Sequence, residues 1–193
     1  MIRNLAQEVQ AFTSNVFLVE GETTALVDTG ANFDVIPRIS EVTDDLDAVY
    51  ITHAHPDHVG NTDAVREAFD VESWGYDADN LAVGNRIEDG ERIQIGDDVY
   101  EAIYTPGHKD DHLCFFSQES GVCFAGDLVF ANGGFGRTDL PEGDREALIE
   151  SIDRLRETVG DDVREIHVGH GPSIVTRPQD DLELAAHAAR VNR

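Results

Sequence analysis

The sequence predicts a layered α/β domain, and three observations carry that expectation. Short apolar runs bounded by Gly, Asp and Asn recur along the chain, some as hairpins and others separated by helix-like stretches. Hydrophobic residues fill 40% of the 193 positions, enough for one domain with a real core and short for two. The histidines and acids able to carry chemistry stand just after apolar runs, where α/β sheets build their sites.

Taken in order, Asn15 to Glu20 and Thr23 to Asp28 read as two strands turned at Gly21-Glu22. Asp28-Thr29-Gly30 closes the second, and a helix is expected from Phe33 to Ser40. Asp47 to Ile51 is the next strand; its Ala48-Val49-Tyr50-Ile51 run is apolar throughout, as in a buried strand. Asp63 then stands as a cap ahead of a helix with Val65, Ala68 and Phe69 on one face. Val71 to Tyr76 returns as a strand, and the polar stretch Asp77 to Gly90 reads as loop with room for one helical turn. Glu91 to Ile95 and Val99 to Thr105 pair across Gly96-Asp97-Asp98, and Thr105-Pro106-Gly107 breaks the second strand. Leu113 to Phe116 and Val122 to Ala125 form another hairpin, closed by Gly126-Asp127. Asp144 caps a helix with Leu148, Ile152 and Leu155 on one face. Val163 to Val168 is the last strand, ending in Gly169-His170-Gly171-Pro172, and a helix from Pro178 to Val191 begins with its proline in the first turn.

One stretch organises the rest. Thr52-His53-Ala54-His55-Pro56-Asp57-His58-Val59-Gly60 holds three histidines and a carboxylate within six consecutive positions, His53 to His58. Neutral imidazole is the commonest protein metal ligand, and Asp adds a hard anionic oxygen. A regular helix does not turn all four inward, because adjacent residues face different ways; a loop at a strand end can. His108, Asp127 and His170 follow three further strands. These seven side chains suffice for two metal ions, three ligands to each and one carboxylate shared, with positions left open for water.

Composition narrows the function further. The formal charge is −25, and the acids are spread along the chain rather than gathered in a tail. A surface so acidic disfavours nucleic acid, since no basic patch exists to displace counterions. Self-repulsion on this scale is screened once the Debye length falls to about 3 Å at 1 M salt. The expectation is therefore a protein of a high-salt cytoplasm whose unfolding temperature rises between dilute buffer and molar KCl. Equal unfolding temperatures in the two media contradict it. No apolar run is long enough to span a membrane, and Met1 to Glu8 lacks the apolar core of a signal peptide. Cys114 and Cys123 fall in apolar strands and read as buried thiols. His112 reads as a core or surface histidine, with a hydrogen bond to a ligand or to Asp127 as its other reading. His167 reads as structural within its strand, and His187 as solvated.

The set His53-x-His55-x-Asp57-His58, then His108, Asp127 and His170, resembles the metallo-β-lactamase superfamily. The resemblance implies a single-domain αββα four-layer sandwich with metals in the cleft at the sheet edges. By the family pattern, His53, His55 and His108 hold one ion, Asp57, His58 and His170 the other, and Asp127 bridges. Zinc is the implied metal, although His and Asp also suit iron and manganese. Within the superfamily, Gly133-Gly-Phe-Gly-Arg137-Thr-Asp-Leu-Pro141 and Gly169-His-Gly-Pro172 resemble the short glyoxalase II-like hydrolases. This implies hydrolysis of an acyl thioester, S-lactoyl-glutathione or that of another thiol carrier, by a bridging hydroxide that Asp57 helps to orient. Only 23 residues follow His170, so the chain departs from full-length glyoxalase II in lacking its helical C-terminal domain. The core domain must then grip the carrier, with the fork of Arg137 foremost for a carboxylate and Lys109 next. Two other readings share these residues. A persulfide dioxygenase carries a similar Gly-Arg-Thr-Asp stretch and would use His53, His108 and Asp127 around one iron. A lactone or ester hydrolase would use the same nucleophile.

Overall fold

The structure, a computed structural model, describes residues 1–191. Its first sheet has six strands in the order β1 (Ile2–Asn4), β2 (Phe17–Val19), β3 (Ala25–Val27), β4 (Ala48–Tyr50), β5 (Ser73–Gly75) and β6 (Asn85–Arg86). The chain then builds a second sheet from β7 (Arg92–Ile95), β8 (Asp98–Tyr104), β9 (Leu113–Phe116), β10 (Val122–Gly126) and, after an excursion, β13 (Glu165–Val168). The strand order there is β13-β10-β9-β8-β7. The excursion contains a small hairpin, β11 (Val129–Phe130) with β12 (Gly134–Phe135). Helices α1 (Ile36–Ser40), α2 (Pro56–Val59) and α3 (Thr62–Phe69) belong to the first half, and α4 (Arg145–Val159) and α5 (Pro178–Val191) to the second.

Apolar strands buried on both faces split their residues between two layers, because successive side chains point to opposite sides. Phe17, Val19, Ala25, Val27, Ala48 and Tyr50 point inward and meet Tyr100, Leu113, Phe115 and Phe124 of the second sheet. The alternate residues Leu18, Leu26, Val49 and Ile51 pack outward beside Val35, Ile39 and Val65, residues of the α1 and α3 side. On the far side, Cys114, Phe116, Cys123 and Ala125 of the second sheet pack against Leu148, Ile152 and Leu155 of α4 and Leu182 and Ala185 of α5. Three apolar layers separated by two sheets make the expected αββα sandwich.

Several elements differ from expectation for local reasons. The first helix starts at Ile36 rather than Phe33, with Pro37 in its first turn, the part of a helix that tolerates a missing N–H. Asp63 does not cap α3. The helix starts two residues earlier than that cap would give, at Thr62 with Asn61 in the cap position, and the buried Thr62 hydroxyl bonds to Thr29 Oγ1 at 3.0 Å; Asp63 therefore lies inside the first turn. The strands β1, β6, β11 and β12 are each two or three residues long and carry no sequence period of their own. Asp144 caps α4 as expected, its Oδ1 accepting from the backbone N–H of Glu146 and Ala147 at 2.9 and 3.0 Å.

Cys114 and Cys123 are unpaired and buried in the α4–α5 layer. Burial pushes the Cys114 thiol up to about 12 and that of Cys123 well above the usual range, so neither offers a thiolate near neutrality. The folded protein is expected to resist maleimide and to take up two equivalents only once denatured, as read by mass spectrometry. Rapid labelling of either thiol in the native state contradicts this packing.

Candidate metal centre

Strand direction brings the candidate residues to one edge. β3 and β4 run parallel, so Asp28 and Thr52-His53 leave their carboxyl ends side by side. In the second sheet β8 and β10 are each antiparallel to β9, and β13 is parallel to β10. Those three strands therefore point the same way, and His108, Asp127 and His170 all lie beyond their carboxyl ends. His53 and His55 lie in extended backbone, whereas Pro56–Val59 winds into the single turn of α2. The cluster is thus part loop and part helix, and the turn carries only Asp57 and His58.

Four of the candidate imidazole rings have assigned roles because the outer nitrogen of each has a partner. His58 Nδ1 donates to Asp28 Oδ2 at 2.7 Å. His108 Nδ1 donates to the Arg137 carbonyl at 2.8 Å. Thr52 Oγ1 gives its proton to Asp28 Oδ2 at 2.8 Å and so accepts from His53 Nδ1 at 3.1 Å. His55 Nε2 donates to Glu142 Oε1 at 3.0 Å. A carboxylate and a carbonyl can only accept, so each of these rings, when neutral, presents a lone pair from its inner nitrogen. His53 Nε2 and His55 Nδ1 then face one another at 3.0 Å, lone pair to lone pair.

These inner atoms fall into overlapping sets. Single ligand atoms of His53, His55 and His108 lie within 4.8 Å of one another, as do those of Asp57, His58 and His170, and a third group of His53, His58 and Asp127 links the two. Asp127 stands between the sets, Oδ1 3.4 Å from His58 Nε2 and Oδ2 3.4 Å from His108 Nε2 and 3.5 Å from His170 Nε2. The backbone N–H of Asp127 is fixed in turn by donating to His112 Nε2 at 3.0 Å. His58 Nε2, His108 Nε2 and Asp127 Oδ1 are buried without a hydrogen-bond partner. Buried lone pairs that converge with no proton between them are costly unless a cation sits among them. The donor set, imidazole nitrogen with carboxylate oxygen, fits divalent zinc, iron or manganese.

The electrostatics agree. Burial opposes charge on His58, yet the Asp28 and Asp127 carboxylates overcome it and push the ring up to about 10, as a pocket built for positive charge requires. Burial would raise Asp127, but the neighbouring His58, with His170 and His108, holds it far below the usual carboxylate range. His112 is driven the other way, by burial and by neighbouring imidazoles, down to about 3. It is therefore neutral, as its acceptor role toward Asp127 demands. His112 is thus buried behind the ligands, the second of its two readings.

The other candidates occupy the surroundings. Arg137 pairs with Asp139 through two bonds of 2.7 and 2.6 Å and is largely exposed. Lys109 pairs with Asp110 at 2.9 Å and Asp111 at 3.4 Å. His167 is buried in β13 and bonds to Ser173 Oγ at 2.9 Å, while His187 is exposed on α5.

Sequence reasoning missed four residues here. Asp28 gathers Thr52 N–H, Thr52 Oγ1 and His58 Nδ1 on one carboxylate. Asp111 accepts from Ala54 N–H at 3.1 Å and so fixes the backbone between His53 and His55. Glu142 holds His55. Gly169 touches the centre from below: a Cβ there would overlap Asp127 Oδ1 and the His58 ring, so only glycine fits. Asp28-Thr29-Gly30 and Gly169-His170-Gly171-Pro172 were the readable signals, and the backbone explains the first. Thr29 and Gly30 N–H donate to the His58 carbonyl at 2.9 and 3.1 Å.

Residues 9–170 match the metallo-β-lactamase superfamily, a span that includes every candidate ligand. The chain belongs to that superfamily. Among its relatives is hydroxyacylglutathione hydrolase GloC of Haemophilus influenzae, 31% identical over 188 residues, covering 84% of this chain and 88% of that one. Hydroxyacylglutathione hydrolase of Thermosynechococcus vestitus is 31% identical over 157 residues, covering 77% of this chain but only 61% of the relative. The chain thus spans less than two thirds of that longer enzyme. Among solved structures, TTHA1623 in a di-iron-bound form is 29% identical with a TM-score of 0.77, covering 96% of each chain. ETHE1 from Myxococcus xanthus shares the fold at a TM-score of 0.79 and 23% identity, over 100% of this chain and 91% of that one. Structure and family together give this chain a candidate metal centre of the metallo-β-lactamase superfamily.

Proposed function

We propose that this member of the superfamily hydrolyses acyl thioesters of a small thiol carrier at a binuclear centre, in a salt-rich cytoplasm. The observation that carries the reading is the convergence of imidazole nitrogens and carboxylate oxygens in adjoining sets, with His58 Nε2, His108 Nε2 and Asp127 Oδ1 buried without a hydrogen-bond partner. His53, His55 and His108 would hold one divalent ion, Asp57, His58 and His170 the other, and Asp127 both. Zinc is the foremost candidate, and the same donors accept iron or manganese. Ions bound there supply a water of depressed pKa and polarise the substrate carbonyl.

The chain's own residues do the rest. Asp28 fixes the His58 ring, and His112 fixes the backbone of Asp127. The Asp57 carboxylate, 3.0 Å from His170 Nε2, is the group proposed to orient a nucleophilic water. A thiolate leaving group needs no protein acid, since a free thiol has a pKa of about 8.5. Arg137 and Lys109 are the proposed carrier contacts, each exchanging its present carboxylate for one of the substrate. A small-molecule substrate also suits the charge, with 14 basic against 39 acidic residues opposing a nucleic acid. Among the described residues no helix is long and apolar enough to cross a membrane.

The test is a substrate panel on protein loaded with zinc or iron in molar KCl. Hydrolysis of S-lactoyl-glutathione or another acyl thioester, with thiol release, is the expected result. Oxygen uptake with a persulfide, or activity confined to lactones, replaces this reading with one of the other two.

A further inference from the structure

Two of the three ligands in the His53, His55 and His108 set are held from behind by one segment, the loop joining β12 to α4. Its Arg137 carbonyl takes the His108 Nδ1 proton, and its Glu142 carboxylate takes the His55 Nε2 proton. The loop is itself fixed near Glu142. Gly143 N–H closes a turn onto the Leu140 carbonyl at 2.9 Å, and Asp144 N–H donates to the Gly107 carbonyl at 2.8 Å, beside His108. Glu142 thus stands between two backbone anchors, with its side chain 29% exposed and that of His55 12% exposed.

His55 differs from the other rings in facing the centre through Nδ1 rather than Nε2. A free imidazole has no obligation to keep its proton on Nε2. Without an acceptor at that nitrogen the ring can protonate Nδ1, which removes the lone pair from the set. We propose that Glu142 is the positioning residue of this centre, locking His55 in the Nε2–H form so that Nδ1 ligates the first ion. This rests on the binuclear reading but not on the identity of the substrate. Carboxylates behind metal-bound histidines commonly account for 10- to 100-fold in metal affinity.

The experiment is a zinc(II) titration of the whole protein in molar KCl against a chromophoric chelator, with long-range 1H–15N spectra of the histidine rings in the metal-free protein. Glu142→Ala is expected to weaken one of the two zinc sites by roughly 10- to 100-fold and to lose the Nε2–H signature of His55. Glu142→Gln keeps an acceptor oxygen and is expected to recover most of the affinity and the signature. Asp139→Ala removes an exposed partner from the same loop and is expected to leave both unchanged. Unchanged zinc affinity in Glu142→Ala overturns the proposal. So does an equal loss in Asp139→Ala, which would mean that the loop rather than the carboxylate is needed. Because the readouts are affinity and tautomer, a failed thioester assay leaves this result intact, and a failed titration leaves the assay intact.

Discussion

Replacing Asp127 by alanine is expected to abolish binuclear metal binding while leaving the fold in place. Its carboxylate is the only group within reach of His58, His108 and His170 at once, at 3.4, 3.4 and 3.5 Å, and so the only one able to serve both sets among the described residues. Removing it takes one anionic ligand from each ion and widens the gap between the two sets. Activity toward the cognate thioester should fall by about three orders of magnitude in kcat/KM, roughly 4 kcal/mol of transition-state stabilisation. The backbone N–H that bonds to His112 is untouched, so the far-UV circular dichroism should match that of the parent. Elemental analysis beside the assay checks it. A variant that keeps two tightly bound ions and full activity contradicts the bridging role.

The second large effect is expected at Asp28, where stability and metal binding are joined. Alanine there leaves Thr52 N–H, Thr52 Oγ1 and His58 Nδ1 without their common acceptor in a buried site. Each orphaned donor costs about 1–3 kcal/mol, so a total of roughly 3–9 kcal/mol is expected for the three. For a chain of this size that lowers Tm by about 10 °C or more. Asp28 also has φ +57°, a left-handed conformation that Asp and Asn tolerate better than alanine. An asparagine substitution separates the two effects. Asp28→Asn keeps the backbone conformation and an acceptor for Thr52 N–H, but turns a donating amide toward His58. The ring must then shift its proton to Nε2, so the Asp57, His58 and His170 set should lose its ion while most of the stability remains. Thermal melts with metal titration of both variants decide it; equal metal affinity in the asparagine variant and the parent contradicts the orienting role.

How much of this was legible in the sequence follows from what each signal encodes. The buried strands announced themselves because both faces are apolar, as in Ala48 to Ile51 and Leu113 to Phe116, between polar flanks. The clustering of the candidate ligands was readable because His and Asp beyond strand ends have few other reasons to gather at one edge. The two-residue strands β6, β11 and β12 were not readable, since pairing with a neighbour rather than any local pattern makes them strands. Asp63 matched the cap pattern, yet a buried hydroxyl contact between Thr29 and Thr62 moved the helix start. The groups behind the ligands were the hardest. Asp28 lies 30 positions from His58 and Glu142 lies 87 from His55, so only the folded chain shows which carboxylate serves which ring. His112 was placed near the site by its proximity to His108, but its partner, the backbone of Asp127, is a tertiary contact.

The most direct test of the central claim is metal stoichiometry by elemental analysis, on protein purified in molar KCl and assayed for thioester hydrolysis in the same sample. Two divalent ions per chain with thiol release, both lost together on chelation, is the result predicted by the paired ligand sets around Asp127. One iron per chain with oxygen consumption and no hydrolysis would contradict the binuclear hydrolase. No bound metal under any loading condition would contradict the site itself.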